Sequence, residues 1–237
     1  MNKDGVAMGK IDVRNKILLL DFDGTLVDTE KLAIQVIEDY CVDKNLISQV
    51  GLLKNISRTI VGRTWKSAIE EMIRLHSLDL DAHRVELELK DRYYQVLNKG
   101  VEWIPGVREK LLELKSKALF LGMVTGSSKN EVDVILGAEG NAHLFDQIWS
   151  SESYSVGKPS PEPFLNAFEQ VRLNLKKQSG KEISPQDVLV FEDSVAGMES
   201  AYRAGFSFVQ VLHSHPGMTF DSRALFSIQD WQEIQFE

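Results

Sequence analysis

The chain of 237 residues contains a single cysteine, Cys41. No disulfide can therefore form within it, which fits a reducing compartment. Nowhere does an apolar run approach the ~20 residues that a membrane-spanning helix requires. Residues Met1 to Lys16 also lack the apolar centre of a secretory signal. Positive charge is in short supply: 27 Lys and Arg stand against 35 Asp and Glu, a formal net charge of −8. That balance argues against nucleic-acid binding by bulk electrostatics, and an anionic small ligand would need a local positive site. Internal repeats and low-complexity tracts are absent. None of the five histidines, His76, His83, His143, His213 and His215, stands in a metal-ligand spacing. All five are expected in structural or solvated roles, with His213 and His215 on an exposed strand exit. The expectation is a soluble cytoplasmic protein without nucleic-acid or membrane partners, its residues 1–15 forming a loose tail. Nothing in the pattern specifies an oligomeric state.

What is present is ordinary globular material, 43% hydrophobic and 26% charged, with ample length for a core. Four short apolar runs read as buried parallel strands: Lys16 to Leu20, Leu119 to Thr125, Val188 to Phe191 and Phe206 to Leu212. None alternates strictly, as expected for strands covered on both faces. Helical periods lie between them, over Val107 to Lys117, Pro163 to Leu175 and Ser194 to Ala204, the last with Gly205 as its stop. Strands alternating with helices predict an α/β fold, a doubly wound parallel sheet. From Glu30 to Gly100 only helical periods occur: Leu32, Val36, Ile37 and Tyr40; Ile69, Met72 and Ile73; Val85, Leu89, Tyr93 and Val96. This predicts an inserted all-helical cap domain over 30–100, with the α/β core formed by 16–29 and 101–237. Two short crossings, near Val27 to Glu30 and Gly100 to Pro105, would let the cap hinge. Residues Lys176 to Ser184 are polar and read as a surface loop or helix end.

The densest chemistry follows the first run, in Asp21-Phe22-Asp23-Gly24-Thr25. Residues two apart on a strand project from one face. Asp21 and Asp23 would thus enter one small volume and repel unless a cation or shared proton offsets them. A calcium loop fails here, since glycine comes fourth and the twelfth residue is Leu32, where the EF-hand needs Gly sixth and Glu twelfth. Ligands in open α/β sheets bind outside the carboxyl ends of the strands. The other candidate residues at such ends are Thr125-Gly126-Ser127, Lys158 in Gly157-Lys158-Pro159, and Glu192-Asp193-Ser194. Carboxylates, one lysine and a hydroxyl–glycine turn together make a metal-plus-phosphate site, and such oxygen ligands favour Mg²⁺.

These segments resemble, in order, the four motifs of the haloacid dehalogenase-like hydrolases. The helical insert and the Glu192-Asp193-Ser194 form of the last motif resemble the branch of β-phosphoglucomutase and the small sugar-phosphate phosphatases. The resemblance implies a Rossmann-like core and a Mg²⁺-dependent phosphatase acting on a small phosphorylated metabolite, such as a sugar or polyol phosphate. It implies that Asp21 is the nucleophile, forming an aspartyl-phosphate, and that Asp23 is the acid and then the base. Thr125 with the amides of Gly126 and Ser127 would hold phosphoryl oxygens, and Lys158 would balance charge. Asp21, the Asp23 carbonyl and Asp193 would hold the metal, with Glu192 a ligand directly or through water. Ser194 is expected to cap the following helix. Arg63 lies where this branch carries its substrate-specificity loop, and either contacts substrate or forms a surface ion pair. Trp65 and Trp103 read as packing residues. Two rival functions remain open: a phosphosugar mutase and a non-catalytic metal- or phosphate-binding relative. The mutases carry a His and a cap-loop Arg at positions that here pair with Ala33 and Trp65, which counts against the first.

Overall fold

A computed structural model describes residues 9–46, 65–137, 140–215 and 217–237. The chain divides into two compact units, Met1–Asp28 with Glu102–Glu237, and Thr29–Val101. In the first, strands β1 (Gly9–Ile11) and β2 (Ile17–Leu20) are followed after the insertion by α4 (Val107–Lys117), β3 (Phe120–Val124), α5 (Lys129–Gly137) and β4 (Gln147–Trp149). Then come α6 (Glu162–Ser179), β5 (Val188–Glu192), α7 (Val195–Arg203), β6 (Ser207–Val211), β7 (Ser227–Ile228) and β8 (Ile234–Phe236). The main sheet has the order β4-β3-β2-β5-β6-β7, and every neighbouring pair is parallel. This is the doubly wound α/β fold that the alternating pattern predicts.

Strand β2 is central because all four of its residues are apolar and buried. Ile17 and Leu19 join one core with Phe164, Phe168, Val190, Met198 and Phe208. Leu18 and Leu20, which strand alternation places on the opposite face, are also fully buried. From β2 the chain steps outward through β3 and β4, then returns to lay β5 on the other side of β2. That reversal is the switch point at which open sheets place their ligands. Leu20 pairs with Met123 on one side and Phe191 on the other, so the three strand ends finish level and Asp21 emerges between β3 and β5.

One expectation about the fold needs correction. Residues 9–15 are not a loose tail: β1 pairs in parallel with β8, and Val13 is fully buried. Ile234 and Phe236 are buried around the exposed Gln235, a half-buried strand whose open edge β1 covers. The polar stretch from Lys176 is a helix end followed by a loop, as expected: α6 continues to Ser179 and stops at Gly180, at φ 70°. Lys176 and Lys177 in its last turn complement the helix dipole there. Strands β4 and β7, of three and two residues, are too short to show a period.

The second unit contains α1 (Thr29–Asp43), α2 (Trp65–His76) and α3 (Ala82–Leu97). Helices α1 and α2 both pack on α3, burying Val36, Ile37, Tyr40, Ala68, Ile69, Met72, Val85, Leu89, Tyr93 and Leu97. Asp81 caps α3 by accepting from the Arg84 amide at 2.7 Å. Trp65 packs edge-on against Tyr93, ring centroids 5.2 Å apart, as a packing residue should. No described helix is long and apolar enough to cross a membrane.

Candidate active site

The site grows out of the carboxyl ends of β2, β3, β5 and β6. Asp21 follows β2 directly, its amide donating to the Phe191 carbonyl at 3.0 Å, and its side chain is buried. Lys158, from the loop before α6, puts Nζ 2.5 Å from Asp21 Oδ1 and 2.6 Å from Glu192 Oε1. It also donates to the Val124 carbonyl at 3.0 Å. Burial disfavours the charge on Lys158, but the two carboxylates outweigh that and raise its pKa. Burial, then the Glu192 carboxylate, push the Asp21 carboxyl well above the usual range despite Lys158, and Asp193 and Asp23 add to the rise.

Asp23 has different company. Its Oδ2 accepts from Thr125 Oγ1 at 3.0 Å and from Ser127 Oγ at 2.7 Å. The Ser127 amide donates to Thr125 Oγ1 at 2.9 Å. The amide and the hydroxyl of Ser127 thus orient the Thr125 and Asp23 side chains. Thr125 is itself pinned, its amide donating to Trp149 and its carbonyl accepting from the Tyr154 hydroxyl at 2.7 Å.

Oxygen atoms of Asp21, Glu192 and Asp193 all lie within 4.8 Å of one another, and all three residues are buried. A lone lysine does not balance such a group, and three oxygen donors suit a hard divalent cation. Backbone space is reserved for the Asp193 carboxylate: Gly24, at φ 80°, has no Cβ, and one placed there would lie 2.0 Å from Asp193 Oδ2. Within the cluster the residues differ. Glu192 spends Oε1 on Lys158 and Oε2 on the Ser194 amide and hydroxyl, at 2.9 and 3.0 Å. Ser194 in turn caps α7, accepting from the Gly197 amide, as expected. Asp193 is held by Thr25 Oγ1, 3.0 Å from Oδ1, and by His215 Nε2, 3.0 Å from Oδ2.

Sequence reasoning missed Thr25, Tyr154 and His215. Thr25 adjoins the paired aspartates, and His215 follows a strand end, which was the available signal. The expected exposure of His215 is wrong, since its side chain is only 8% exposed. The structure brings together Asp21, Asp23, Thr125, Ser127, Lys158, Glu192 and Asp193, with Gly126 in the turn between Thr125 and Ser127. Arg63 lies outside the described residues.

Known proteins resemble this chain in sequence and in fold. The sequence signature of the haloacid dehalogenase-like hydrolases matches residues 18–211. A phosphorylated carbohydrates phosphatase of Thermotoga maritima is 30% identical over 204 residues, covering 83% of this chain and 85% of that protein. Fructose-1-phosphate phosphatase YqaB of Escherichia coli K12 is 26% identical over 198 residues, covering 82% and 95%. A solved HAD family hydrolase of Deinococcus radiodurans, with bound phosphate and sodium, shares the fold at TM-score 0.69 and 23% identity, over 94% of each chain. On the signature and the fold together, this chain belongs to the haloacid dehalogenase-like hydrolase family.

Proposed function

We propose that the chain is a phosphatase that hydrolyses a small phosphorylated metabolite, a sugar or polyol phosphate, through a covalent intermediate on Asp21. The observation that carries this reading is the unequal company of the two aspartates. Asp21 meets an ammonium group at 2.5 Å, while Asp23 accepts two hydroxyl hydrogen bonds. Environments that differ in this way separate a nucleophile from an acid–base group. An Asp21 oxygen attacks phosphorus, the bond to the leaving oxygen breaks, and Asp23 supplies the proton that oxygen needs. Asp23 then takes a proton from water, whose oxygen attacks phosphorus, releasing phosphate and restoring Asp21. Thr125 and Ser127 hold Asp23 in place for both transfers. Lys158 stays charged and offsets the negative charge of the phosphoryl group.

The buried carboxylates fit Mg²⁺, which Asp21, Asp193 and the Asp23 carbonyl would hold. When bound it supplies the charge that keeps Asp21 ionised and neutralises phosphoryl oxygens. Glu192, with both oxygens engaged by Lys158 and Ser194, acts as the counter-ion that fixes Lys158. The substrate class is supported by the two phosphatases named above, both of which act on phosphorylated carbohydrates.

A panel of phosphorylated sugars and polyols, assayed for free phosphate with Mg²⁺ and with chelator, tests the proposal. Release should require the metal and fall to near background in Asp21→Asn. Retained activity in that variant would reject Asp21 as nucleophile. Isomerised sugar phosphate in place of free phosphate would establish a mutase instead.

A further inference from the structure

We propose that His215 is a positioning residue for Asp193, holding its carboxylate in the orientation in which it meets a divalent cation. The inference rests on the metal reading of the preceding section. Two segments distant in sequence converge on this one buried carboxylate: the turn after β2 through Thr25 and the loop after β6 through His215. Thr25 Oγ1 reaches Oδ1 and His215 Nε2 reaches Oδ2, each at 3.0 Å.

The imidazole is itself placed by a hydrogen-bonded loop. The His215 amide donates to the Leu212 carbonyl at 3.1 Å, and its carbonyl accepts from the Met218 amide at 3.0 Å. Ser214 Oγ donates to the Gly24 carbonyl at 3.2 Å, tying this loop to the turn that carries the paired aspartates. A buried imidazole that served only to fill space would need no donor aimed at a carboxylate. This one sets Nε2 3.0 Å from Asp193 Oδ2, a distance at which a proton on Nε2 is donated to the carboxylate.

The chemistry follows from acceptor capacity. Each carboxylate oxygen has about two acceptor directions. A donor held against each oxygen restricts rotation of the Asp193 carboxylate, and so fixes the direction in which it faces the neighbouring Asp21 and Glu192 oxygens. An oriented ligand has less freedom to lose when metal binds, so affinity depends on the donors behind it. Thr25 adjoins the aspartate pair, whereas His215 comes from a distant segment and makes metal binding depend on the loop after β6.

The test is calorimetric titration of Mg²⁺ into wild type, His215→Phe, His215→Ala and His215→Gln, alongside thermal melting of each metal-free protein. Removing the donor in the Phe and Ala variants should weaken Mg²⁺ binding ~10–100-fold. The Gln variant, which keeps an N–H donor, should restore most of it, with all metal-free melting temperatures close to wild type. Wild-type affinity in either the Phe or the Ala variant would overturn the inference. So would a Gln variant as weak as they are, or losses that track a fall in metal-free melting temperature. A wild type that binds no Mg²⁺ would instead overturn the metal reading, and this inference with it.

Discussion

A single carboxyl sets much of the chemistry at residue scale. Asp21 sits with Glu192 and Asp193 in a buried group that Lys158 alone cannot neutralise, and its pKa is raised, first by burial and then by Glu192. A native state that holds this proton more tightly than the unfolded chain gains stability below the unfolded value, about 3.9. That gain is lost as pH rises through the higher folded value. Asp21→Asn removes the ionisation while keeping an oxygen to accept from Lys158. The metal-free variant should therefore melt above metal-free wild type at pH 7, by ~2–4 °C for each kcal/mol relieved at this chain length. The gap should close near pH 4 and narrow when Mg²⁺ saturates wild type. Melting curves across pH check this, and a variant that melts lower at pH 7 would show that Lys158 needs the Asp21 charge more than the cluster suffers from it.

At the scale of elements, the start of α7 does two jobs. Ser194 caps the helix and, with its amide, grips Glu192 Oε2, while Gly197 lets Glu192 lie against the first turn. A Cβ at Gly197 would fall 1.7 Å from Glu192 Oε1, the oxygen that holds Lys158. Glu192 is fully buried and has nowhere to retreat. Gly197→Ala should cost at least ~1–3 kcal/mol through overpacking, and should cut turnover as Lys158 loses a partner. Gly126→Ala is the contrast, because a Cβ there meets nothing within 4 Å, and its stability should stay within ~0.5 kcal/mol of wild type. Urea midpoints for the two variants measure the difference, and equal midpoints would mean that the helix start yields more readily than its contacts imply.

At the scale of the α/β unit, the first and last described strands close on each other. Strand β8 pairs with β1, and Phe236 sets its ring edge-on to Phe191, centroids 6.3 Å apart. Trp231 stacks on the same Phe191 at 4.8 Å and donates to the Thr25 carbonyl at 2.8 Å. The last residues thus buttress the strand and the turn that carry the site. Phe236→Ala should cost ~3–5 kcal/mol, lowering the urea midpoint while leaving turnover per folded molecule unchanged at low temperature. A midpoint close to wild type would mean that β8 contributes little to the fold, and that the buttress is redundant.

The sequence by itself determined the buried strands β2, β3, β5 and β6, the helical character of the insert, and the order in which the candidate residues reach the strand ends. Those signals are local: an apolar run or a helical period is complete within a dozen residues. It also placed Asp21 and Asp23 at the end of β2, although both lie beyond its last residue, Leu20, so that the turn and not a shared strand face decides where each points. Only the tertiary structure decided which groups face which. Thr125 and Ser127 meet Asp23 across 102 and 104 residues of chain, and Thr25 meets Asp193 across 168. Such pairings depend on the sheet order and strand register, which no local pattern encodes. The same reason explains the ordered N-terminal strand and the buried His215. Each has an ordinary surface composition and is covered only because a distant segment folds against it.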